Sequence, residues 1–233
     1  RYSPAAYWGS MNSFLLMTSN GVKKNPEIAI IDYGLSNLYS ISKALRCFTD
    51  NVFITDELSG LNSADAVVLP GVGAFEEGMN GLKTRGLENG LKEFVNFGKP
   101  LLGICLGAQL MLSRGYEFGA FDGLDIIKGE VVRFPELKDA KIPHIGWNEI
   151  YPQETGQWDK TIFDFSAKKA NMYFVHSYIM KPSNKENIFA LSNYGGHEFC
   201  SALRSGNIYG CQFHPEKSGE EGLKIIENFI KSI

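Results

Sequence analysis

The stretch PLLGICLG, residues 100–107, joins a short apolar run to a cysteine that stands between two glycines. The run predicts a buried strand, and the residues from Gly107 to Leu112 predict the start of a helix. A nucleophile on so tight a turn needs neighbours without side chains, because the backbone there is strained and crowded. The spacing therefore predicts a nucleophile elbow at Cys105, with the thiol at a helix N-terminus that favours the thiolate. A buried structural cysteine in a glycine-rich turn is the alternative.

The rest of the N-terminal half alternates short apolar runs with helical patterns. A helical repeat runs from Leu38 to Phe48, and a longer one from Met79 to Phe94 predicts a single helix. Further apolar runs predict strands at 28–31, 52–54 and 66–69. This alternation predicts an α/β fold with a mostly parallel central sheet and helices on both faces. Ligands of such sheets bind at the carboxyl ends of the strands, where Asp32, residues 70–73 and Cys105 lie.

The C-terminal half predicts an antiparallel extension of the same domain. Turn-rich links separate runs that predict strands at 126–134, 142–151, 172–179, 188–194, 198–204 and 208–213. A closing helix is predicted from about Gly219 to Ile230. Because no repeat or linker divides the chain, we expect one domain over residues 26–233. We expect residues 1–10 to be a cloning remnant and residues 11–25 a leader, with Met11 or Met17 as the natural start.

The composition excludes several classes of protein. The 233 residues are 44% hydrophobic and 21% charged, as in an ordinary globular protein. With 23 Lys and Arg against 26 Asp and Glu, the chain has no positive excess for a nucleic-acid backbone. Its apolar runs are far shorter than the ~18 residues of a membrane helix. The four cysteines form no CxxC pair or metal-ligand spacing, which predicts a reduced, cytoplasmic protein without a metal site.

The tripeptide His214-Pro215-Glu216 is a candidate partner for the thiol. Pro215 fixes its own φ and favours an extended His214. Residues two apart in an extended segment point to the same side, so Glu216 is expected to orient the ring of His214. The ring could then take the thiol proton and return it to a leaving group. A turn histidine beside a surface glutamate is the alternative.

The loop Pro70-Gly71-Val72-Gly73 follows a predicted strand next to the elbow. Its two glycines allow backbone N–H groups to approach a substrate closely. With the N–H of Leu106, these groups would form an oxyanion hole. A phosphate-binding loop is the alternative, but no Lys-Ser/Thr pair follows the glycines.

Other polar and aromatic residues are less specific. His144 could belong to the core, a site or an interface. His176 interrupts an apolar strand, so it is either a satisfied core histidine or a contact at the strand end. Trp147 is more often a core residue than an anchor, and Cys47, Cys200 and Cys211 are expected to be structural.

Several segments are informative in combination: residues 31–38 (IDYGLSNL), 70–75 (PGVGAF), 103–109 (GICLGAQ), 129–134 (GEVVRF), 143–148 (PHIGWN), 173–178 (YFVHSY) and 212–219 (QFHPEKSG). From about residue 27 to the C-terminus, the chain resembles the class I (triad) glutamine amidotransferases. Within them it is most similar to the glutaminase subunits of imidazole glycerol phosphate synthases. It departs from that group in Ala108, where Met is expected, and in its longer N-terminal leader.

The resemblance implies a glutaminase that needs no cofactor. Cys105 would attack the side-chain amide of glutamine, His214 would act as general base and then acid, and Glu216 would orient His214. The implied oxyanion hole is formed by Gly71, Val72, Gly73 and Leu106, after a peptide reorients. The residues expected to contact or surround glutamine are Gln109, Glu117, His176, Ser177 and Tyr178.

The resemblance also implies a partner. Ammonia would pass within a heterodimer to a (β/α)₈-barrel synthase subunit, which makes imidazole glycerol phosphate and aminoimidazole carboxamide ribotide in histidine biosynthesis. Trp147 and Asn148 would lie at that interface. The alternatives are a paralogue that supplies ammonia to a related barrel in surface-sugar biosynthesis, a silent binding module of the same fold, and a related cysteine hydrolase or peptidase.

Overall fold

The computed structural model describes residues 26–137, 140–165 and 169–233. The expected remnant and leader, residues 1–25, lie outside these described residues. The strands are β1 (Ile28–Ile31), β2 (Val52–Thr55), β3 (Ala66–Leu69), β4 (Leu101–Ile104), β5 (Leu112–Gly115), β6 (Phe121–Asp122), β7 (Ile127–Arg133), β8 (His144–Ile150), β9 (Ala170–His176), β10 (Tyr178–Pro182), β11 (Ile188–Tyr194), β12 (His197–Ser205) and β13 (Ile208–Cys211). The helices are α1 (Leu38–Leu45), α2 (Leu58–Ser63), α3 (Phe75–Thr84), α4 (Leu87–Asn96), α5 (Leu106–Leu110) and α6 (Gly219–Lys231).

The central sheet has the predicted α/β architecture. Its strand order is β2-β1-β3-β4-β13-β12-β10-β7-β5-β6, with β11 paired to β12. The five strands from β2 to β13 run parallel to one another. In the described part of the chain, no helix has the length and apolar character needed to cross a membrane.

Hydrophobic cores lie on both faces of the sheet, as predicted for short apolar strands buried on two sides. Along β1, Ile28 and Ile30 face the core that contains α1 and α6, while Ala29 and Ile31 face the core that contains α2 to α5. The two-residue alternation of a strand produces this division.

Two helix predictions differ from the structure, and one helix was not predicted. The single helix predicted from Met79 to Phe94 is two helices, because Gly86 adopts a left-handed conformation with φ of 70° between α3 and α4. The helix expected from Gly107 to Leu112 ends at Leu110, and a strand begins at Leu112. The helix α2 has only six residues, and their apolar spacing is too short a pattern to predict a helix.

The predicted antiparallel extension is correct for β7, β10, β11 and β12, but not for every strand of the C-terminal half. The strand β13 pairs in parallel with β4 and therefore belongs to the parallel part of the sheet. The strand expected at 172–179 breaks at Ser177, so that β9 pairs with β8 in a separate two-stranded sheet while β10 stays in the central sheet. Residues 176–178 lie at this break.

Candidate active site

Three adjacent strands bring the candidate residues together. In the central sheet, β3, β4 and β13 are neighbours, and their carboxyl ends lead into residues 70–73, Cys105 and residues 212–214. The N–H of Cys105 donates to the carbonyl oxygen of Cys211 at 2.7 Å. This bond fixes the elbow beside the segment that carries His214.

The elbow has the strained backbone that its glycines predict. Cys105 adopts φ 52° and ψ −110°, a combination that side-chain-bearing residues rarely adopt. A Cβ atom on Gly107 would lie 1.8 Å from the carbonyl oxygen of Leu69, and one on Gly103 would lie 2.5 Å from the sulfur of Met111. Glycine is therefore required on both sides of the cysteine.

The thiol of Cys105 has two polar contacts of its own. Its sulfur lies 3.9 Å from the carbonyl oxygen of Val175, to which the S–H donates. The side-chain amide of Gln212 donates to the same sulfur, also at 3.9 Å. The helix that follows, α5, has only five residues. Its dipole therefore favours the thiolate less than a longer helix would.

The ring of His214 is held from two sides. Its backbone N–H donates to the carbonyl oxygen of Tyr173 at 2.9 Å, and its own carbonyl accepts from the hydroxyl of Ser218 at 2.6 Å. Its Nδ1 lies 2.9 Å from Oε1 of Glu216, whose side chain is only 4% exposed. His214 is extended as predicted, but Glu216 reaches the ring from a 3-10 turn, Pro215–Lys217, rather than from a continuing strand.

These contacts leave Nε2 of His214 facing the thiol. A carboxylate accepts hydrogen bonds, so the contact with Glu216 places a proton on Nδ1. Nε2 is buried and has no hydrogen-bond partner among the described residues. Burial alone would favour the neutral ring, but interactions with Cys105 and Glu216 raise the pKa of His214 above its ordinary value. A buried imidazole whose proton affinity depends on a neighbouring thiol is suited to exchange protons with it.

Two of the N–H groups expected in the oxyanion hole, those of Val72 and Leu106, already donate to backbone carbonyl groups. The N–H of Val72 donates to the carbonyl oxygen of Leu35 at 2.8 Å, and the N–H of Leu106 donates to the carbonyl oxygen of Gly71 at 3.3 Å. Val72, Gly73 and Leu106 line a cavity next to Cys105, whereas Gly71 is not among its lining residues. Gly73 has φ of 128°, which requires glycine.

This cavity has a volume of about 300 Å³, which suits an amino acid. The remaining predicted contacts with glutamine, Gln109, Glu117, His176, Ser177 and Tyr178, all line it. Glu117 accepts a hydrogen bond at 2.8 Å from the N–H of Phe75, the first residue of α3. Burial and then the charge of Glu117 raise the pKa of Tyr178 above its ordinary value.

The family model for class I glutamine amidotransferases matches residues 29–233. The chain belongs to the class I glutamine amidotransferase family. Imidazole glycerol phosphate synthase subunit HisH 1 of Legionella pneumophila (strain Paris) is 46% identical, over 88% of this chain and 99% of the relative. The corresponding HisH 1 of Methanococcus maripaludis is 44% identical, over 88% of this chain and all of the relative. Both parts of the resemblance, to the family and to its HisH group, are thus confirmed.

Solved structures support the fold of this glutamine amidotransferase. PurLQS from Thermotoga maritima aligns with a TM-score of 0.67 at 18% identity, over 90% of this chain and 99% of that one. Another glutamine amidotransferase structure aligns with a TM-score of 0.67 at 14% identity, over 88% of this chain and 99% of that one. At these identities the likeness establishes the architecture alone.

His144 and His176, whose roles the sequence did not decide, form a buried pair in this amidotransferase. His176 Nδ1 lies 2.8 Å from the carbonyl oxygen of Tyr178, and its Nε2 lies 3.0 Å from Nδ1 of His144. His144 also stacks on Phe174 and Tyr194. Burial lowers the pKa of His176 to about 3 and that of His144 to about 4. Both rings are therefore neutral core residues, and His176 also borders the cavity.

The predicted interface residues occupy opposite faces of β8. Trp147 is 59% exposed, as is Ile145 on the same face. Asn148 instead donates to the carbonyl oxygen of Asn193 at 3.0 Å within its own chain. The exposed pair forms an apolar patch next to the turn that carries Glu216, since Gly219 lies beside the ring of Trp147.

Other candidate positions have structural roles. Cys200 and Cys211 are buried, and burial raises the pKa of both thiols, whereas Cys47 is exposed. A larger cleft of about 630 Å³ is lined by ion pairs, including Arg114 with Asp122. Within the described ranges, no group of three or more His, Cys, Asp or Glu side chains is arranged to hold a metal ion.

Sequence reasoning missed two residues at the sulfur. Val175 contributes only a backbone carbonyl, which no side-chain pattern reports. Gln212 stands two residues before His214 in an extended run, and that spacing could have placed it on the same side as His214.

Proposed function

We propose that this glutamine amidotransferase hydrolyses L-glutamine with Cys105, His214 and Glu216 as its triad. It would act as the glutaminase subunit of an imidazole glycerol phosphate synthase in histidine biosynthesis. The observation that carries the proposal is the ring of His214: its Nδ1 is bound to buried Glu216, its Nε2 has no hydrogen-bond partner among the described residues, and the ring interacts with the thiol of Cys105. The curated relatives named above support the same activity.

The proposed reaction begins with proton transfer from the thiol of Cys105 to Nε2 of His214. The sulfur attacks the amide carbon of glutamine, and the carbonyl oxygen becomes an oxyanion. The protonated His214 then gives its proton to the departing nitrogen, and ammonia leaves a glutamyl thioester on Cys105. Water, deprotonated by His214, hydrolyses the thioester to glutamate and restores the thiol. Glu216 keeps the ring oriented and favours its protonated form throughout.

The cavity beside Cys105 is the proposed glutamine site. Both N–H groups of the Gln109 amide are already used, at 3.3 Å to the carbonyl of Tyr178 and at 3.1 Å to Oε1 of Gln212. Gln109 therefore offers its Oε1 to the substrate, which suits the ammonium group of glutamine. Glu117 provides a negative charge for the same ammonium, and residues 176–178 also line the site.

The oxyanion hole is proposed to form by rotation of one peptide group. The carbonyl of Gly71 and the N–H of Val72 belong to the same peptide and point in opposite directions. Rotation of this peptide would turn the Val72 N–H towards the cavity and withdraw the Gly71 carbonyl from Leu106. One movement would thus free two donors for the oxyanion, and Gly71 and Gly73 give the loop the freedom it needs.

We further propose a (β/α)₈-barrel synthase subunit as the partner in a cytoplasmic heterodimer. The exposed Ile145 and Trp147 supply apolar anchors of the kind enriched at interfaces, whereas Asn148 lies on the opposite face of β8 and is bonded to Asn193. Ammonia would travel through a channel to the barrel, where the lyase chemistry takes place.

Glutamate release tests the proposal. The chain is assayed with glutamine alone and with the barrel subunit from the same organism. We expect slow release alone and fast release in the complex. Folded protein that releases no glutamate under either condition would contradict the proposal, and the product of a co-purifying barrel would identify the pathway.

A further inference from the structure

Gln212 is a wholly buried polar residue that the mechanism above does not use. It follows β13 directly and precedes His214 by two residues. Its Nε2 lies 3.9 Å from the sulfur of Cys105, a distance at which the large sulfur atom accepts a weak hydrogen bond. The contact places an amide donor on the reacting atom itself.

The orientation of the Gln212 amide is fixed by its other contact. Its Oε1 accepts a hydrogen bond from Nε2 of Gln109 at 3.1 Å. The second N–H of Gln109 is directed at the carbonyl of Tyr178, so Gln109 can present only a donor to Gln212. The opposite orientation would place two NH₂ groups against each other. Gln212 must therefore direct its NH₂ group at the sulfur.

The two polar neighbours of the sulfur favour different states of Cys105. The carbonyl of Val175 accepts from S–H and so stabilises the neutral thiol. The amide of Gln212 donates, and a donor is worth more to a thiolate than to a thiol. The helix α5 is too short for its dipole to dominate, so the balance depends on these groups and on His214.

We propose that Gln212 is a positioning residue that donates a hydrogen bond to the sulfur of Cys105 and stabilises it after its proton has moved to His214. Gln109 holds Gln212 in this orientation and also borders the proposed glutamine site. The arrangement connects the substrate pocket to the nucleophile through two amides. This inference rests on the proposed function, since it assigns Gln212 to the same reaction.

Two substitutions separate this role from a structural one. Gln212→Met removes the donor and keeps the side-chain length. Gln212→Glu keeps the shape and an oxygen for Gln109, but it places an acceptor at the sulfur. The rate of iodoacetamide alkylation at Cys105 is measured against pH by peptide mass spectrometry, in a Cys47→Ser background that removes the exposed thiol. Gln157→Met is the matched control, because that amide bonds to the carbonyl of Ile188 away from the elbow.

We expect the midpoint of the alkylation profile to rise by about one pH unit in Gln212→Met, and further in Gln212→Glu. The kcat for glutamine should fall at least about tenfold in the complex with the barrel subunit, while KM changes far less. The control should keep the wild-type midpoint.

Midpoints that stay at the wild-type value in both variants, or a midpoint lower in Gln212→Glu than in Gln212→Met, would overturn the inference. If Gln212→Met does not fold, Gln212→Glu decides alone: a raised midpoint supports the role and an unchanged one overturns it. The alkylation profile does not require turnover. A wild-type complex that releases no glutamate would therefore overturn the proposed function, and a profile insensitive to Gln212 would overturn this inference.

Discussion

The backbone N–H of Leu106 donates to the carbonyl oxygen of Gly71 at 3.3 Å, so the elbow and the neighbouring loop block each other. In the proposed mechanism, Leu106 and Val72 donate to the substrate oxyanion, but the N–H of Leu106 is occupied by the loop that carries Val72. Under that proposal, the two groups serve a substrate only after the peptide between Gly71 and Val72 has turned.

This blocked arrangement predicts weak activity for the isolated chain. An oxyanion-hole donor contributes about 10²–10³ in rate, so stimulation by the barrel subunit should reach at least that range in kcat. This stimulation is measured as the rate of glutamate release at saturating glutamine, with and without the partner. Equal rates in both conditions would show that the loop does not limit catalysis.

Substitution of the nucleophile should separate chemistry from binding. Cys105→Ala is expected to abolish glutamate release, because no other side chain can form the thioester, while glutamine binding and assembly with the partner persist. Calorimetry and size-exclusion chromatography measure these two properties. Cys47→Ala, at an exposed cysteine, is the control and should retain full activity. Residual turnover in Cys105→Ala above the reagent blank would mean that the nucleophile is misassigned.

The buried contact between Glu216 and His214 predicts a change in pH dependence. In Glu216→Gln the amide can donate to Nδ1 and hold the wrong tautomer, so kcat should fall on the order of 10²–10⁴-fold. The negative charge of Glu216 raises the pKa of His214, so its removal should shift the alkaline limb of kcat/KM to lower pH. Glu220→Gln, at an exposed position of α6, provides the control. An unshifted limb would argue against Glu216 as the group that sustains the proton on His214.

Tyr33 and Gly71 are expected to show strong coupling in stability. A Cβ on Gly71 would lie 1.8 Å from the hydroxyl of Tyr33, which is buried without a hydrogen-bond partner in the described part of the chain. Gly71→Ala should therefore destabilise the fold by about 1–3 kcal/mol. Tyr33→Phe should be neutral or stabilising by itself and should recover part of that loss in the double variant. Urea unfolding of the four proteins gives the coupling energy, and strict additivity would contradict the predicted contact.

The buried histidine pair predicts loss of stability in acid. His144 and His176 have pKa values of about 4 and 3 in the folded protein, against about 6.5 for an unperturbed ring. Below pH 6.5 the unfolded chain binds protons that the folded chain does not, so the free energy of unfolding should fall between about pH 6.5 and pH 3. His214 has a raised pKa in the folded protein, so its effect on stability has the opposite pH dependence. Its stabilising contribution to the free energy of unfolding is complete below about pH 6.5 and is lost as the pH rises through the pKa of the folded protein.

Thermal unfolding followed across this pH range measures the effect. The variant His144→Asn keeps a donor for Nε2 of His176 but does not titrate, so its stability should decline less steeply in acid than that of the wild type. Parallel declines in the two proteins would assign the acid sensitivity to other groups.

Four of the five parallel strands, β1 to β4, could be predicted from the sequence, as could the elbow at Cys105 and the pairing of His214 with Glu216. Each of these depends on local chemistry: apolar runs of strand length, glycines where a Cβ cannot fit, and a proline that restricts its neighbour. Membership of the family could also be predicted from the sequence, because the family's motifs are contiguous segments.

The tertiary structure alone decided which groups surround the sulfur and whether the site is open. The break at Ser177 sends β9 and β10 into different sheets and brings the carbonyl of Val175 to Cys105. The parallel pairing of β13 with β4 brings Gln212 to the same sulfur, and the N–H groups of Val72 and Leu106, which are the proposed oxyanion donors, are occupied. These contacts join residues from 35 to 107 positions apart through backbone groups and amides. No local pattern encodes them, because their energy depends on the packing of strands that are distant in the chain.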